Sequence, residues 1–208
     1  MFFGIARWLW CQPQRGRGEN ERMRKLKLQM QVSIDGMVGV QRGHHFNWDE
    51  EVRQHSIANA ANVDCILLGR KTATGFIPHW KSVAGNPKDA DFEFGKLVTD
   101  IPKVVFSRSL QKPEWPNATL MNGEIVDSMN QLKKQTGKGL LVYGGSSFVA
   151  SLVERNLIDE YHLLVNPVVF RSGLTIFGGL AGTLRLTLVT NRAFSCGTVL
   201  LCYEPFRD

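Results

Sequence analysis

Much of what would assign a function at a glance is missing from this 208-residue chain. No run of about 18 apolar residues occurs, so no segment reads as a membrane-spanning helix. The four cysteines, Cys11, Cys65, Cys196 and Cys202, form no Cys-x-x-Cys pair, and no cluster of histidine, cysteine and carboxylate has metal-ligand spacing. Gly-x-Gly-x-x-Gly is missing after the first expected strand, and so is the Walker phosphate loop. The stretch Gly144–Phe148 is no nucleophile elbow, because Phe148 stands where the second glycine would be. There is no internal repeat, no low-complexity tract and no interleaving of basic and aromatic residues. The net charge of +6 therefore points away from nucleic acid and towards a ligand that carries phosphates.

What is present suits a soluble, single-domain protein. The hydrophobic share is 43%, an ordinary value for a globular domain. Residues 1–22 differ from the rest: MFFGIARWLW is apolar but interrupted by Arg7, and a polar, charged stretch follows. They read as a flexible extension to a domain over 23–208, with a membrane-surface helix as the alternative. Cys65 sits within an apolar run, and the cysteines read as reduced thiols of a cytoplasmic protein.

Along the chain, LKLQMQVSI at 26–34 alternates apolar and polar residues, as a half-buried strand does. Asp35-Gly36 then turns the chain. Asn47, with Glu50 three residues later, predicts a capped helix running to about Asn62. CILLG, KVVFS and LLVYGG read as strands. GRKTATGF opens a helix, GEIVDSMNQLKKQTG is expected to be helical up to Gly137, and SSFVASLVERNL forms another helix. DEYHLLVNPVVF is expected to be a strand with a proline inside, bulged or at an edge. LRLTLVTNRAF and GTVLLCYEP close the chain as an antiparallel pair. Alternating strands and helices followed by a strand-rich tail predict an α/β fold of three layers, α/β/α. Its central sheet is mostly parallel, with antiparallel C-terminal strands.

Two strand ends share one design. At Gly69-Arg70-Lys71-Thr72 and at Gly144-Gly145-Ser146-Ser147-Phe148 a buried strand stops and a helix starts. Helix N-termini offer unpaired N–H groups and a partial positive charge, and glycine lets an anion approach the backbone. A third strand end places Ser107 and Arg108 in the same layer. Three such ends fit a ligand with several phosphates, such as a dinucleotide.

VSIDGMVG at 32–39, LLGRKTATGF at 67–76, VVFSRSL at 104–110, the long stretch at 140–170 and GLTIF at 173–177 together carry a resemblance that spans nearly all of 24–204. The chain resembles the dihydrofolate reductase fold. Within that fold it is similar to the reductase domain of the bifunctional riboflavin-biosynthesis deaminase/reductase; the zinc-binding deaminase half has no counterpart. The resemblance implies an NADPH-dependent reductase that forms a homodimer and acts on a ribosylamino-pyrimidine or another small heterocycle. It implies that Gly144, Gly145, Ser146, Ser147 and Phe148 lie along the cofactor diphosphate. Gly69, Arg70, Lys71 and Thr72 would face it from the other side, Ser107 and Arg108 would take the 2′-phosphate, and Met37, Val38 and Gly39 would belong to a mobile loop over the nicotinamide. Asp35 is the candidate catalytic residue, with turn chemistry as the alternative. Glu50 or Glu51 could match the pterin-holding carboxylate of dihydrofolate reductases, but acids are expected at a helix start anyway. Tyr143 stands where the riboflavin reductases carry a glutamate, and Arg171 replaces a common glycine. Dihydrofolate reduction and a non-catalytic nucleotide-binding protein are the alternatives. His44 and His45 read as a solvated loop, and His79-Trp80 as a loop aromatic packed on the domain.

Overall fold

The computed structural model describes residues 23–39 and 46–206. The expected extension at 1–22, Cys11 and the His44–His45 pair lie outside the described residues. The elements run β1 (Leu26–Ser33), α1 (Glu50–Ala61), β2 (Val63–Gly69), α2 (Arg70–Ala84), α3 (Phe92–Asp100), β3 (Lys103–Phe106), β4 (Ala118–Met121), α4 (Ile125–Lys133), β5 (Gly139–Gly144), α5 (Ser146–Glu154), β6 (Glu160–Asn166), β7 (Leu186–Ala193) and β8 (Val199–Pro205).

The eight strands form one sheet in the order β4-β3-β2-β5-β1-β6-β8-β7. All pairings from β4 to β6 are parallel, and β8 runs antiparallel to both β6 and β7. Helices cover both faces. On one, Met129 and Leu132 of α4 and Val149, Leu152 and Val153 of α5 pack on β1 and β5. On the other, Ala73 and Ile77 of α2 and Phe94 and Val98 of α3 pack on Ile66, Leu68 and Val105. This is the three-layer α/β/α arrangement expected from the alternating pattern.

Five local expectations are corrected. β1 is covered on both faces: of its polar positions, Gln29 and Ser33 are buried and Lys27 and Gln31 half-buried. Gln29 donates to Ser56 Oγ at 2.8 Å and accepts from Asn59 Nδ2 at 2.6 Å, so the alternation marks a polar seam beneath α1, where a buried amide must find partners. Asp49, not Asn47, caps α1 by accepting from the Val52 N–H at 2.9 Å. Asn47 ties instead to the C-terminal strands, accepting nothing from the helix and donating to Asn166 Oδ1 and the Cys196 carbonyl. β6 stops at Asn166, because Pro167 has no N–H to continue the ladder. α4 ends at Lys133, short of Gly137, and Lys133 turns inward to bond the Leu157 carbonyl at 2.8 Å and Asp159 at 2.5 Å. Residues 81–95 contain the end of α2 and the start of α3. His79 and Trp80 therefore lie on a helix, with the Trp80 ring edge-on to Phe94 at 4.8 Å.

Among the described residues, no helix is long and apolar enough to cross a membrane, and Cys65, Cys196 and Cys202 are free thiols.

Candidate functional site

The carboxyl ends of β2, β3 and β5 meet in a cleft of about 460 Å³. In a sheet of this kind ligands sit beyond those ends. The cleft is lined by Gly69, Arg70, Lys71 and Thr72 from the β2–α2 junction, by Phe106, Ser107, Arg108 and Ser109 after β3, and by Gly145, Ser147 and Phe148 from the β5–α5 junction. The three strand ends singled out in the sequence thus converge on one space. Gly144 and Ser146 flank this lining without belonging to it.

The glycines are explained by close packing between the two junctions. A Cβ on Gly145 would lie 2.6 Å from Thr72 Oγ1, and one on Gly69 would lie 3.0 Å from Phe148 Cβ. Gly144 has φ +145°, a backbone state that side chains resist, and its peptide with Gly145 is cis.

The two helices that open onto the cleft also differ from the other three in charge. α2 and α5 begin at Gly69 and Gly145, with no side-chain cap and no acid in the first turn. α1, α3 and α4 carry Glu50 and Glu51, Glu93, and Asp127 in their first turns. An acid there complements the helix dipole. Its absence at α2 and α5 leaves two positive helix ends with unsatisfied N–H groups pointing at one space. Arg70, Lys71 and Arg108 add three cations, none in an ion pair with a described residue. Ser107 Oγ is already engaged, accepting from the N–H groups of Ser109 and Leu110 at 3.2 and 3.1 Å, and this fixes the turn that carries Arg108.

The cleft continues into a recess of about 300 Å³ that shares Ser107, Arg108, Ser147 and Phe148 and adds Asn122, Ile125 and Arg155. Phe106 and Phe148 pack along this junction with ring centroids 4.7 Å apart and the rings tilted by 33°. Asn122 and Arg155 were not picked out beforehand; only the end of the short strand β4 could have pointed to this recess.

A second chamber, of about 230 Å³, is lined by Phe46, Trp48, Phe76, Trp80, Phe94 and Tyr143 together with Gln29, Met30, Gln31 and Val38. It adjoins the glycine junction: Tyr143 directly precedes Gly144, and Met30 Cε would lie 3.7 Å from a Cβ on Gly144. Val38 therefore lines this chamber rather than the cleft. Gly39 lines neither space and bridges to Leu174, with Val38 N–H donating to the Leu174 carbonyl at 2.7 Å.

Asp35 is exposed at the turn after β1. Its carboxylate accepts from the Ser33 hydroxyl at 2.6 Å and from the N–H groups of Phe170 and Arg171 at 3.2 and 2.8 Å. These bonds, that from Ser33 foremost, hold its pKa below the usual carboxylate value. Glu50 pairs with Arg53, while Glu51 pairs with Arg192 and accepts the Ser195 N–H, so neither acid lines the chamber. Among the described residues no group of three or more histidines, cysteines and carboxylates is placed to hold a metal ion.

The comparisons with known proteins agree with this fold. The family model described as the RibD C-terminal domain matches residues 24–200. The uncharacterized protein YyaP of Bacillus subtilis (strain 168) is 31% identical over 178 residues, covering 83% of this chain and 90% of that protein. Among the solved structures that share the fold are two of note. One is a diaminohydroxyphosphoribosylaminopyrimidine deaminase/5-amino-6-(5-phosphoribosylamino)uracil reductase from Thermotoga maritima, with a TM-score of 0.65 at 16% identity over 88% of this chain and 57% of that one. The other is a pyrimidine reductase-like protein from Corynebacterium diphtheriae, with a TM-score of 0.60 at 15% identity over 89% and 93%. With its sheet order, its paired strand-to-helix junctions and the match over nearly the whole domain, the chain belongs to the RibD C-terminal domain family.

Proposed function

We propose that this protein is an NADPH-dependent reductase of a small heterocyclic substrate. The observation that carries this reading is the pair of uncapped, acid-free helix ends of α2 and α5, facing one cleft with Arg70, Lys71 and Arg108. That donor set fits the phosphates of a dinucleotide. The N–H groups at Gly145–Ser147 and at Arg70–Thr72 would hold the diphosphate from two sides. Arg108, on the turn fixed by Ser107, would pair with the 2′-phosphate, for which a guanidinium fork is well suited. When bound, NADPH would supply a hydride to the substrate. The chain's own part is to orient both molecules across the Tyr143–Gly145 strand end and to keep water out of the aromatic chamber. Asp35, held ionised and already accepting three hydrogen bonds, is a positioning residue that fixes the turn after β1 rather than a proton donor. Dihydrofolate reduction is disfavoured, because no carboxylate among the described residues lines the chamber.

The test is fluorescence titration of the protein with NADPH and NADH. NADPH is expected to bind more tightly. Arg108→Ala removes a charge-assisted contact of about 1.5–3 kcal/mol, so it should weaken NADPH roughly ten- to hundredfold and leave NADH nearly unchanged. Equal losses for both cofactors would remove the role given to Arg108. Oxidation of bound NADPH by no member of a heterocycle panel would favour a non-catalytic nucleotide-binding protein.

A further inference from the structure

A further cavity lies at the other end of β3, away from the cleft. Its volume is about 260 Å³, and one stretch of chain, 76–117, supplies all of its lining. Ile77 and Val98 give it a buried apolar floor, and Phe76 and Trp80 add aromatic rings. The cavity shares those two rings with the aromatic chamber. Its polar groups, however, gather at Lys103, where β3 starts, whereas the cleft lies beyond Phe106, where β3 ends. Asn117 braces the mouth, its amide donating to the carbonyls of Thr99 and Asp100 at 3.3 and 2.9 Å. Lys81 and Asp100 stand exposed at the rim.

Lys103 is the unusual member of this lining. It is only 3% exposed, and a lysine is rarely buried without a counter-charge. Its ammonium donates to the Thr99 carbonyl at 2.5 Å, at the end of α3, where a cation suits the helix dipole. That bond uses one of three protons. No carboxylate among the described residues comes within ion-pair distance. Burial pushes its pKa down to about 8, and the attraction of Asp100 restores it only in part. The Thr99 hydroxyl, also in the lining, is shut off from solvent and has no partner among the described residues. Two groups able to donate thus border one apolar cavity, and one of them carries a buried charge. A carboxylate answers both, because it accepts two hydrogen bonds and supplies the counter-charge. The volume lies just under the roughly 300–1,000 Å³ common for drug-sized ligands, which suits one ring with a short acid.

We infer that this cavity is a binding site for a small aryl carboxylic acid, its carboxylate held by Lys103 and Thr99 and its ring against Phe76, Ile77 and Trp80. The site is separate from the cleft and does not depend on the reductase reading.

Saturation-transfer NMR titrations of the full chain at neutral pH test this with three probes of similar shape: phenylacetate, the neutral phenylacetamide and the cation 2-phenylethylammonium. Phenylacetate is expected to bind most tightly. Lys103→Met keeps the length of the side chain and removes its charge. It should weaken phenylacetate roughly ten- to hundredfold and phenylacetamide less, which erases the preference for the acid. Thr99→Val removes a hydroxyl that bonds no described residue, so the fold should survive it, and phenylacetate should weaken roughly three- to tenfold. Arg108→Ala, in the cleft, should leave phenylacetate binding unchanged. The inference is overturned if phenylacetate does not bind, if the amide or the cation binds as tightly, or if Lys103→Met holds phenylacetate as well as the original chain does. Should Lys103→Met fail to fold, Thr99→Val decides by the same criterion. A loss on Arg108→Ala with Lys103→Met and Thr99→Val unaffected would place the acid in the cleft and overturn the inference as well.

Discussion

Replacing Gly145 by alanine separates two reasons for a glycine that the sequence cannot tell apart. Gly145 has φ −78° and ψ 170°, an extended state open to any residue, so backbone strain is not the issue. The added methyl would lie 2.6 Å from Thr72 Oγ1 and 4.0 Å from Thr72 Cβ. The first distance forces Thr72 to move, whereas the second is ordinary contact. Overpacking of this kind costs about 1–3 kcal/mol, and for a domain of this size each kcal/mol lowers Tm by about 2–4 °C. Thr72→Ala removes the offending oxygen, so Gly145→Ala should cost almost no stability in that background. Cofactor binding is expected to behave differently. If the backbone of Gly145 must touch a diphosphate, the methyl obstructs it whatever residue occupies position 72. The Gly145→Ala/Thr72→Ala protein should then bind NADPH at least about tenfold more weakly than Thr72→Ala alone, an effect of roughly 1.4 kcal/mol. Thermal melts and NADPH titrations on the four proteins complete the cycle. A double variant that binds NADPH as well as Thr72→Ala would mean that Gly145 only makes room for Thr72, and the phosphate-cradle role would fall.

Three further outcomes are expected. Ser56→Ala should cost about 1–3 kcal/mol in chemical denaturation, because the Gln29 amide loses its acceptor inside the sheet; an unchanged midpoint would show that this seam finds other partners. His55 is pushed down to about 4 by burial and then by the nearby His162. The unfolded chain therefore takes up a proton first as pH falls from 6.5 towards 4, and stability should fall across that window; His55→Phe should flatten this part of a Tm–pH curve, and a curve of unchanged slope would refute the assignment. The homodimer expected from the family resemblance has a candidate face in β7, an outer strand of eight residues with Leu188 and Val189 exposed. Val189→Lys should shift the mass measured by light scattering from two chains to one, and a monomer before mutation would refute the dimer.

The cleft was legible because its parts are local signals. A β run, a glycine and a helix start can each be read within ten residues, and a parallel sheet then brings the strand ends together. The aromatic chamber was not legible. Phe46 and Trp48 precede α1, Phe76 and Trp80 come from α2, Phe94 from α3 and Tyr143 from β5, and nothing in the spacing of these residues says that they meet. Trp80 was read as a loop aromatic, yet α2 carries it and runs through Pro78. The alternation of β1 suggested a solvent-facing side. A buried glutamine with two side-chain partners gives the same pattern, and only the position of α1 distinguishes them. The choice between Asn47 and Asp49 as cap likewise depends on where the C-terminal strands draw Asn47.

The bonds around Asp35 have a mechanical consequence. The turn after β1 is fastened to residues 170–171 by one carboxylate, and a few residues on, Val38 and Gly39 exchange backbone hydrogen bonds with Leu174. Two strips distant in sequence are thereby laced edge to edge. The strip that carries Val38 into the chamber wall cannot swing as a free loop. It opens only when its 170–174 counterpart travels with it or the lacing comes undone. Amide exchange at Val38 and at Leu174 should then proceed through one shared opening, and severing the knot with Asp35→Ala should speed both together.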